Sequence, residues 1–296
     1  MVPAGHLLGF DEIRLENEDG RNLTAMEWLN RKTDVRAAIS IKETDCQIRL
    51  SGKNFCYTYS KKNGMFESMI YEGKEYLEKP MEINIWRAPT DNDMYIQTEW
   101  KRAHYHHSCT RAYNALITHS ENKIVISSSM SVSAASLQRI LDVQAEWVVD
   151  HNGGIFAALN VKKNEAFPFL PRFGVRLFLP REFETVSYYG YGPYENYRDK
   201  HRASSHGLYS ATISELHEDY IFPQENGNRF DCDYVKINGK RLGLTAVSDT
   251  SFSFHASAYS QEELESKSHH FELEESGKTI LCLDYALHGI GSNSCG

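Results

Sequence analysis

No run of about 18 apolar residues occurs anywhere in the chain, so no segment is long enough to span a bilayer as a helix. Positive charge is not in excess either: 32 Lys and Arg stand against 40 Asp and Glu, for a net charge of −8. Phosphate binding needs a basic face, which argues against nucleic acid as a partner. The six cysteines, Cys46, Cys56, Cys109, Cys232, Cys282 and Cys295, are widely spread and form no CxxC pair. Disulfides stay open on the count alone, but small buried thiols in a reducing compartment fit better, with Cys56 and Cys282 expected inside because they sit in strand-like runs with apolar neighbours, and the expected location is cytoplasmic. Strand–helix–strand alternation is missing, which excludes a doubly wound sheet and a (β/α)8 barrel. Repeats, low-complexity tracts and Pro/Ser linkers are also missing. The opening "MVPAGHLLGF" has no basic n-region and too short an apolar stretch for a signal peptide. It reads as the middle of a longer chain.

What is present is β pattern. The chain is 41% hydrophobic and 12% aromatic, enough for a packed core. "CQIRLSG", "FCYTYS", "LDVQAEWVVD", "FGVRLFLP" and "TILCLDYAL" alternate polar and apolar residues or form short apolar runs between turn residues. "KKNG" before "MFESMIY" predicts a hairpin with Asn63-Gly64 in its turn. Helices are few. One is predicted over 96–107. A second is predicted over 260–270, where Ser260 and Glu263 have capping-box spacing. The expected fold is all-β, a large antiparallel sandwich in one domain from 31 to 296, preceded by a separate lead-in over 1–30.

The chemistry-bearing residues cluster in four polar loops at strand ends. "WRAPTDND" (86–93) places Trp86 and Arg87 beside Asp91, Asn92 and Asp93. Its carboxylates could ligate Ca²⁺ or Mg²⁺, but the glycine and glutamate of an EF-hand loop are absent, and a hydrogen-bonded turn explains it as well. "YYGYGPYENYRDK" (188–200) joins tyrosine faces to Glu195, Arg198 and Asp199. Such a mixture suits a sugar, whose C–H face stacks on aromatics and whose hydroxyls meet charged groups; an aromatic corner pinned by Arg and carboxylate reads equally well. A buried Glu195 could serve as acid or base. "FPQENGNRF" (222–230) brings Gln224, Glu225, Asn226 and Arg229, and "GIGSNSCG" (289–296) closes the chain with a polar, glycine-rich loop. "HYHH" (104–107) suggests a metal, yet no ligand at zinc spacing stands near it. The four loops are expected to form one rim.

In this order and at these separations, "WRAPTDND", "GYGPYENYRDK", "PQENGNRFDCDYVKI", "FSFHASAYSQEEL" and "LDYALHGIGSNSCG" resemble the C-terminal domain of the large bacterial β-galactosidases, over residues 38–296. In some lactic acid bacteria that region is a separate small subunit. "AGHLLGFDEIRL" resembles the last strand of the immunoglobulin-like domain before it. The resemblance implies the supersandwich fold of galactose mutarotases and a parent enzyme that hydrolyses β-galactosides such as lactose with retention. Retention needs two carboxyls about 5–5.5 Å apart. In the family both lie in an upstream barrel, so this chain is expected to hold no catalytic residue and to be inactive alone. The family often uses Mg and Na, which this fragment is not expected to hold. The implied partners are the other domains or large subunit, a galactoside substrate, and further copies in an oligomeric parent.

The resemblance places Trp86, Arg87, Asp91, Asn92, Asp93, Met94 and Tyr95 at the edge of the substrate pocket. The family's C-terminal loop also reaches that pocket, in some members with a Trp that stacks on the leaving sugar; here Ser294 and Cys295 lie near its place. Tyr191, Glu195, Tyr197, Arg198, Asp199, Glu225, Asn226 and Arg229 are implied scaffold, with Arg198 and Asp199 pinning their own loop. A further strand is implied beyond the Gly-Ile-Gly loop, and with it an exposed sheet edge near the C-terminus. Two other readings stay open: a free-standing carbohydrate-binding module, and a mutarotase-like isomerase using Glu195 with His201 or His206.

Overall fold

The computed structural model describes residues 3, 5, 9–13, 38–120, 123–241 and 243–291. Among them run seventeen strands, all paired antiparallel, in three sheets. The first sheet is a meander of β1 (Ser40–Glu43), β2 (Gln47–Ser51), β3 (Phe55–Ser60), β4 (Phe66–Tyr71) and β5 (Lys74–Glu75). Its inward face alternates as the sequence does: Ile48 and Leu50, then Phe55, Tyr57 and Tyr59, are buried. The β3–β4 hairpin turns through 61–65, where Gly64 takes a φ of +73° that a side chain would resist.

β6 (Lys79–Asn84) leaves for another sheet, and a helical excursion follows it: α1 (Ile96–Arg102), then a 3-10 turn at Tyr105–His107. The helix predicted over 96–107 is thus broken at His104, whose φ of 55° is left-handed. The second sheet holds β7 (Cys109–Ala112), β8 (Leu116–Ser120), β9 (Lys123–Ser133), β10 (Arg139–Asp150) and β11 (Ile155–Lys163). Its order is β11-β10-β9-β7, and β8 also pairs with β9. The third sheet adds β12 (Arg172–Pro180), β13 (Thr185–Gly192), β14 (Ser205–Thr212), β15 (Arg229–Asn238), β16 (Gly243–Ser257) and β17 (Lys278–Leu287), in the order β14-β13-β15-β16-β17-β12-β6.

One apolar cluster runs through all three sheets. Phe66 meets Trp147 edge-on at 5.4 Å between the first two, and Tyr76 packs on Phe183 at 5.2 Å between the first and third. Two short helices close the ends, α2 (Ile213–Leu216) and α3 (Gln261–Ser266). Ser260 caps α3 by accepting from Glu263 N at 3.1 Å. The reciprocal half of the expected capping box is not made: the Glu263 carboxylate accepts from Glu274 N at 2.9 Å instead, tying down the following loop.

Two further expectations are corrected. The last strand is no sheet edge, because β16 and β12 pair with β17 on its two flanks; the edges are β14 and β6. Ser292–Gly296 lie outside the described residues, as does the 1–30 lead-in apart from 3, 5 and 9–13, of which Glu12 accepts from His206 N on β14 at 2.6 Å. Five cysteines are free thiols, but only Cys232 and Cys282 are buried. Cys56, expected inside, is half-exposed, because it falls on the outward side of β3, where Arg49 reaches its sulfur.

β12 and β17 meet at a register shift beside Gly174. A Cβ there would lie 2.1 Å from Leu283 O and 2.7 Å from Asp284 Cα, both backbone atoms. Gly174→Ala is therefore expected to lower stability by about 1–3 kcal/mol. Gly207→Ala, whose nearest contact is 3.4 Å, should change it by no more than about 0.5 kcal/mol. Urea midpoints of the two variants check this, and equal midpoints would show that the bulge yields.

Candidate functional site

The 85–95 segment begins buried. Trp86 and Arg87 are 3% and 0% exposed, and they turn to different neighbours. Trp86 donates its indole N–H to Glu265 Oε2 on α3 at 3.0 Å. Arg87 Nη2 spans both oxygens of Asp93 at 2.8 and 2.9 Å. The same guanidinium donates to the carbonyls of His288 and Gly289. Thr90 donates its amide and hydroxyl to Asp93 Oδ2 at 2.9 and 3.1 Å, which closes the 3-10 turn Asp91–Asp93. Beyond that turn Met94 and Tyr95 are 56% and 64% exposed. Dense hydrogen bonding thus holds a root, and a tip of little contact projects from it.

The other loops fasten to this one. Asn92 Nδ2 donates to Ile290 O at 2.9 Å. Asp199 accepts from the amides of Ile290 and Gly291 at 3.1 and 2.8 Å. Gln224 exchanges longer contacts with Asp91, and Glu225 N donates to Ala88 O at 3.2 Å. Behind them, Glu195 accepts from Gly227 N at 2.8 Å and also from Lys200 and Tyr220. Asn196 and Asn228 bind each other's backbone, and Arg229 ties Tyr188 to Pro193. Asn226 takes Glu218 N at 3.1 Å, and the Tyr191 ring stacks parallel to Phe230. The four loops expected to converge are one bonded network.

Asp199 reaches beyond its own loop to the amides of Ile290 and Gly291, which follow the end of β17 and need acceptors. Arg198 lies exposed. Ser294 and Cys295 lie outside the described residues. His201 and His206, offered as partners for Glu195, turn to the carbonyls of Tyr197 and Asp231.

Arg172 is the centre the sequence reading missed. It is fully buried and meets Asp284 through two bonds of 3.1 and 2.7 Å, and Glu225 through one of 3.2 Å. Burial disfavours its charge, but Asp284 and Glu225 outweigh that and hold it firmly protonated. Burial pushes the two carboxyls up, and Arg172 pulls them back. The available signal was charge inside apolar strands, Arg172 with Arg176 in "PRFGVRLFLP" and Asp284 alone in "LCLDYAL". Burial raises the Tyr197 hydroxyl, with Glu225 and Glu195 adding to it.

Chemically, the buried carboxylates Asp93, Glu195, Glu225 and Asp284 each face an arginine or lysine. That pairing suits a scaffold rather than proton transfer. Among the described residues no group of three or more His, Cys, Asp and Glu is placed to hold a metal ion.

The family model "Beta galactosidase small chain" matches residues 51–296. The β-galactosidase of Actinobacillus pleuropneumoniae is 36% identical over 296 residues, which is all of this chain and 28% of that protein. The β-galactosidase of Staphylococcus xylosus is 34% identical over 290 residues, 98% of this chain and 28% of its own. The chain therefore spans little more than a quarter of the length of these relatives. The solved structure "Crystal Structure Analysis of HI1317" overlaps 85% of this chain and 94% of its own at a TM-score of 0.34 and 11% identity.

Proposed function

The chain belongs to the β-galactosidase small-chain family, and on that premise we propose that it is the non-catalytic part of a β-galactosidase. In this reading it lends the 91–95 tip to a galactoside pocket built mainly by the remaining three quarters of the enzyme. Its partner is that remainder, as further domains or as a large subunit, and the assembly works in the cytoplasm. The observation that carries the reading is the contrast within 86–95. Trp86, Arg87 and Asp93 are buried and hydrogen-bonded, while Met94 and Tyr95 stand exposed beyond them. A rigid root under an apolar, aromatic tip is a means of placing a contact surface beside a site formed elsewhere.

The chemical division of labour follows. Retaining hydrolysis needs one carboxyl free to give a proton and one free to attack. The buried carboxylates described here are committed to arginine or lysine, which would oppose the first role. The tip's contribution would be binding energy and exclusion of water at the sugar.

The purified chain is expected to give no turnover of nitrophenyl β-galactoside. Mixing it with the remainder of its enzyme should restore activity. In that reconstituted enzyme Tyr95→Ala should lower kcat/KM by about tenfold, the scale of one lost apolar contact in a pocket. Turnover by the clean chain that disappears in Glu195→Gln would overturn the proposal.

A further inference from the structure

The second sheet ends in a strand whose outer flank pairs with nothing among the described residues. β11 runs nine residues, Ile155–Lys163, in unbroken register with β10, with no bulge and no proline. Alternate residues of an edge strand turn their N–H and C=O groups outward, where they template pairing with another strand, so natural sheets blunt their edges. The other edges here are blunted. β1 and β5 are four and two residues long. The far edge of the second sheet is split between β7 and β8, of four and five residues. β6 carries Lys79, Pro80 and Glu82, and on β14 the Glu12 carboxylate takes the His206 amide. β11 has no such device along "IFAALNV", its uncharged first seven residues.

Its inward side chains also lack cover. On β10 the inward row Leu141, Val143, Ala145, Trp147 and Val149 is at most 4% exposed. Across from it, the inward row of β11 is half-buried at Ile155, Leu159 and Val161 and exposed at Ala157. The apolar layer thus runs on past β10 and stops, partly wet, at β11. A further strand on that flank would take this surface from water.

We propose that β11 pairs antiparallel with β11 of a second copy of this chain, about a two-fold axis at Leu159, so that two second sheets become one. Backbone bonds alone would accept any strand; the side chains select the copy. In this register Leu159 meets its own equivalent, and Ile155 and Ala157 meet the partner's Lys163 and the partner's Val161. On the outer side Ala158 meets the partner's Asn160, and the Phe156 ring receives the cation of the partner's Lys162. The strand's only charges, Lys162 and Lys163, stand at one end. Antiparallel pairing carries them to opposite ends of the seam, whereas parallel pairing would set like charges side by side. Lys162 is also balanced across the ladder by Asp142 on β10. A pairing of this symmetry uses up the open edge on both copies and closes at a dimer. It leaves the rim free, because the four rim loops all adjoin strands of the third sheet.

The test uses the 296-residue chain. One strand seam is a small interface, so sedimentation equilibrium should give a dimer with a micromolar Kd. Ala158 and Asn160 are exposed, so changes there read association rather than folding, and melting temperatures of the dilute variants should not move. Ala158→Lys brings an ammonium diagonally beside the partner's Lys162 and beside its own equivalent. Asn160→Glu sets two carboxylates diagonally across the axis. Each should raise Kd about fivefold. Ala158→Lys combined with Asn160→Glu puts opposite charges directly across the seam and should return Kd to near the wild-type value. Amide exchange gives a second reading: alternate amides of β11 should be protected at about 500 µM protein and unprotected at about 1 µM. A chain that stays monomeric at about 500 µM overturns the proposal. A dimer that ignores both single variants overturns it by placing the interface elsewhere, and a double variant that recovers nothing overturns the register centred on Leu159. Amides of β11 protected at every concentration would overturn it too, since the flank would then be filled within one copy.

Discussion

Arg172→Leu is expected to cost about 3–5 kcal/mol of folding stability, because it strands two carboxylates in the interior. Asp284 and Glu225 are 0% and 1% exposed, and their cationic partner would be gone. The pair matters more than its own bonds suggest. Asp284 belongs to β17, and Glu225 belongs to the loop whose amide holds Ala88 at the root of the 86–95 segment. One guanidinium therefore joins a central strand to two of the four loops. Removing all three charges, as Arg172→Met with Glu225→Met and Asp284→Leu, should recover most of the loss, since a well-packed apolar replacement avoids the desolvation penalty. Urea midpoints of the single and triple variants decide the matter.

The single variant carries a second signature. Without Arg172 the two carboxyls are left to burial, which raises their folded-state pKa above the unfolded value. A raised folded pKa contributes stability that is fully present below the unfolded pKa and is lost as pH rises through the folded one. The deficit of Arg172→Leu against wild type should accordingly be larger at neutral pH than near pH 5. A deficit independent of pH would mean that lost packing, and not stranded charge, is the cause.

Arg172 also shows where sequence reading stops. Strands were legible because period-two alternation records which side of a sheet is wet, and the third sheet's inward face follows it in β13. Asn63-Gly64 and Ser260 were legible because their physics is local: a left-handed turn and one capped amide. The Arg87–Asp93 pair lies six residues apart and could be anticipated from one motif. Arg172–Asp284 spans 112 residues, and nothing near either residue names the other. The same distance explains Asp199, whose partners are the amides of Ile290 and Gly291, some 90 residues away. It explains the last strand too. That β17 is interior depends on β12 and β6 reaching its outer flank, and pairing order is not written in any one strand's pattern. Cys56 failed for a simpler reason: in "FCYTYS" it shares its side of the strand with Thr58, so the apolar neighbours Phe55, Tyr57 and Tyr59 face the opposite way.

Acid should unfold this chain through His255 well before its carboxylates titrate. The ring is 2% exposed on β16, and its Nδ1 has no hydrogen-bond partner among the described residues. Burial lowers its pKa to about 3, and Arg172, His217 and Arg229 push in the same direction, since a third cation between two buried guanidiniums is unfavourable. The unfolded chain takes up a proton near pH 6.5, the ordinary histidine value, while the folded chain refuses it. More protons are then bound by the unfolded state throughout the window from about pH 6.5 down to 3, so stability rises with pH there, by about 1.4 kcal/mol per unit for this one group. Between pH 7 and pH 5 the expected loss is about 2 kcal/mol, and His217, lowered by its own burial, adds to it. His255→Gln has nothing to titrate. It should start less stable at pH 7 if the neutral imidazole packs better than the amide, yet its urea midpoint should fall less steeply toward pH 5. Parallel slopes for wild type and His255→Gln would refute the assignment. A flattened slope would place the acid-sensitive group directly beneath Gly227, whose carbonyl and amide hold Arg229 and Glu195, so that protonation loosens the loop network before the sheets themselves.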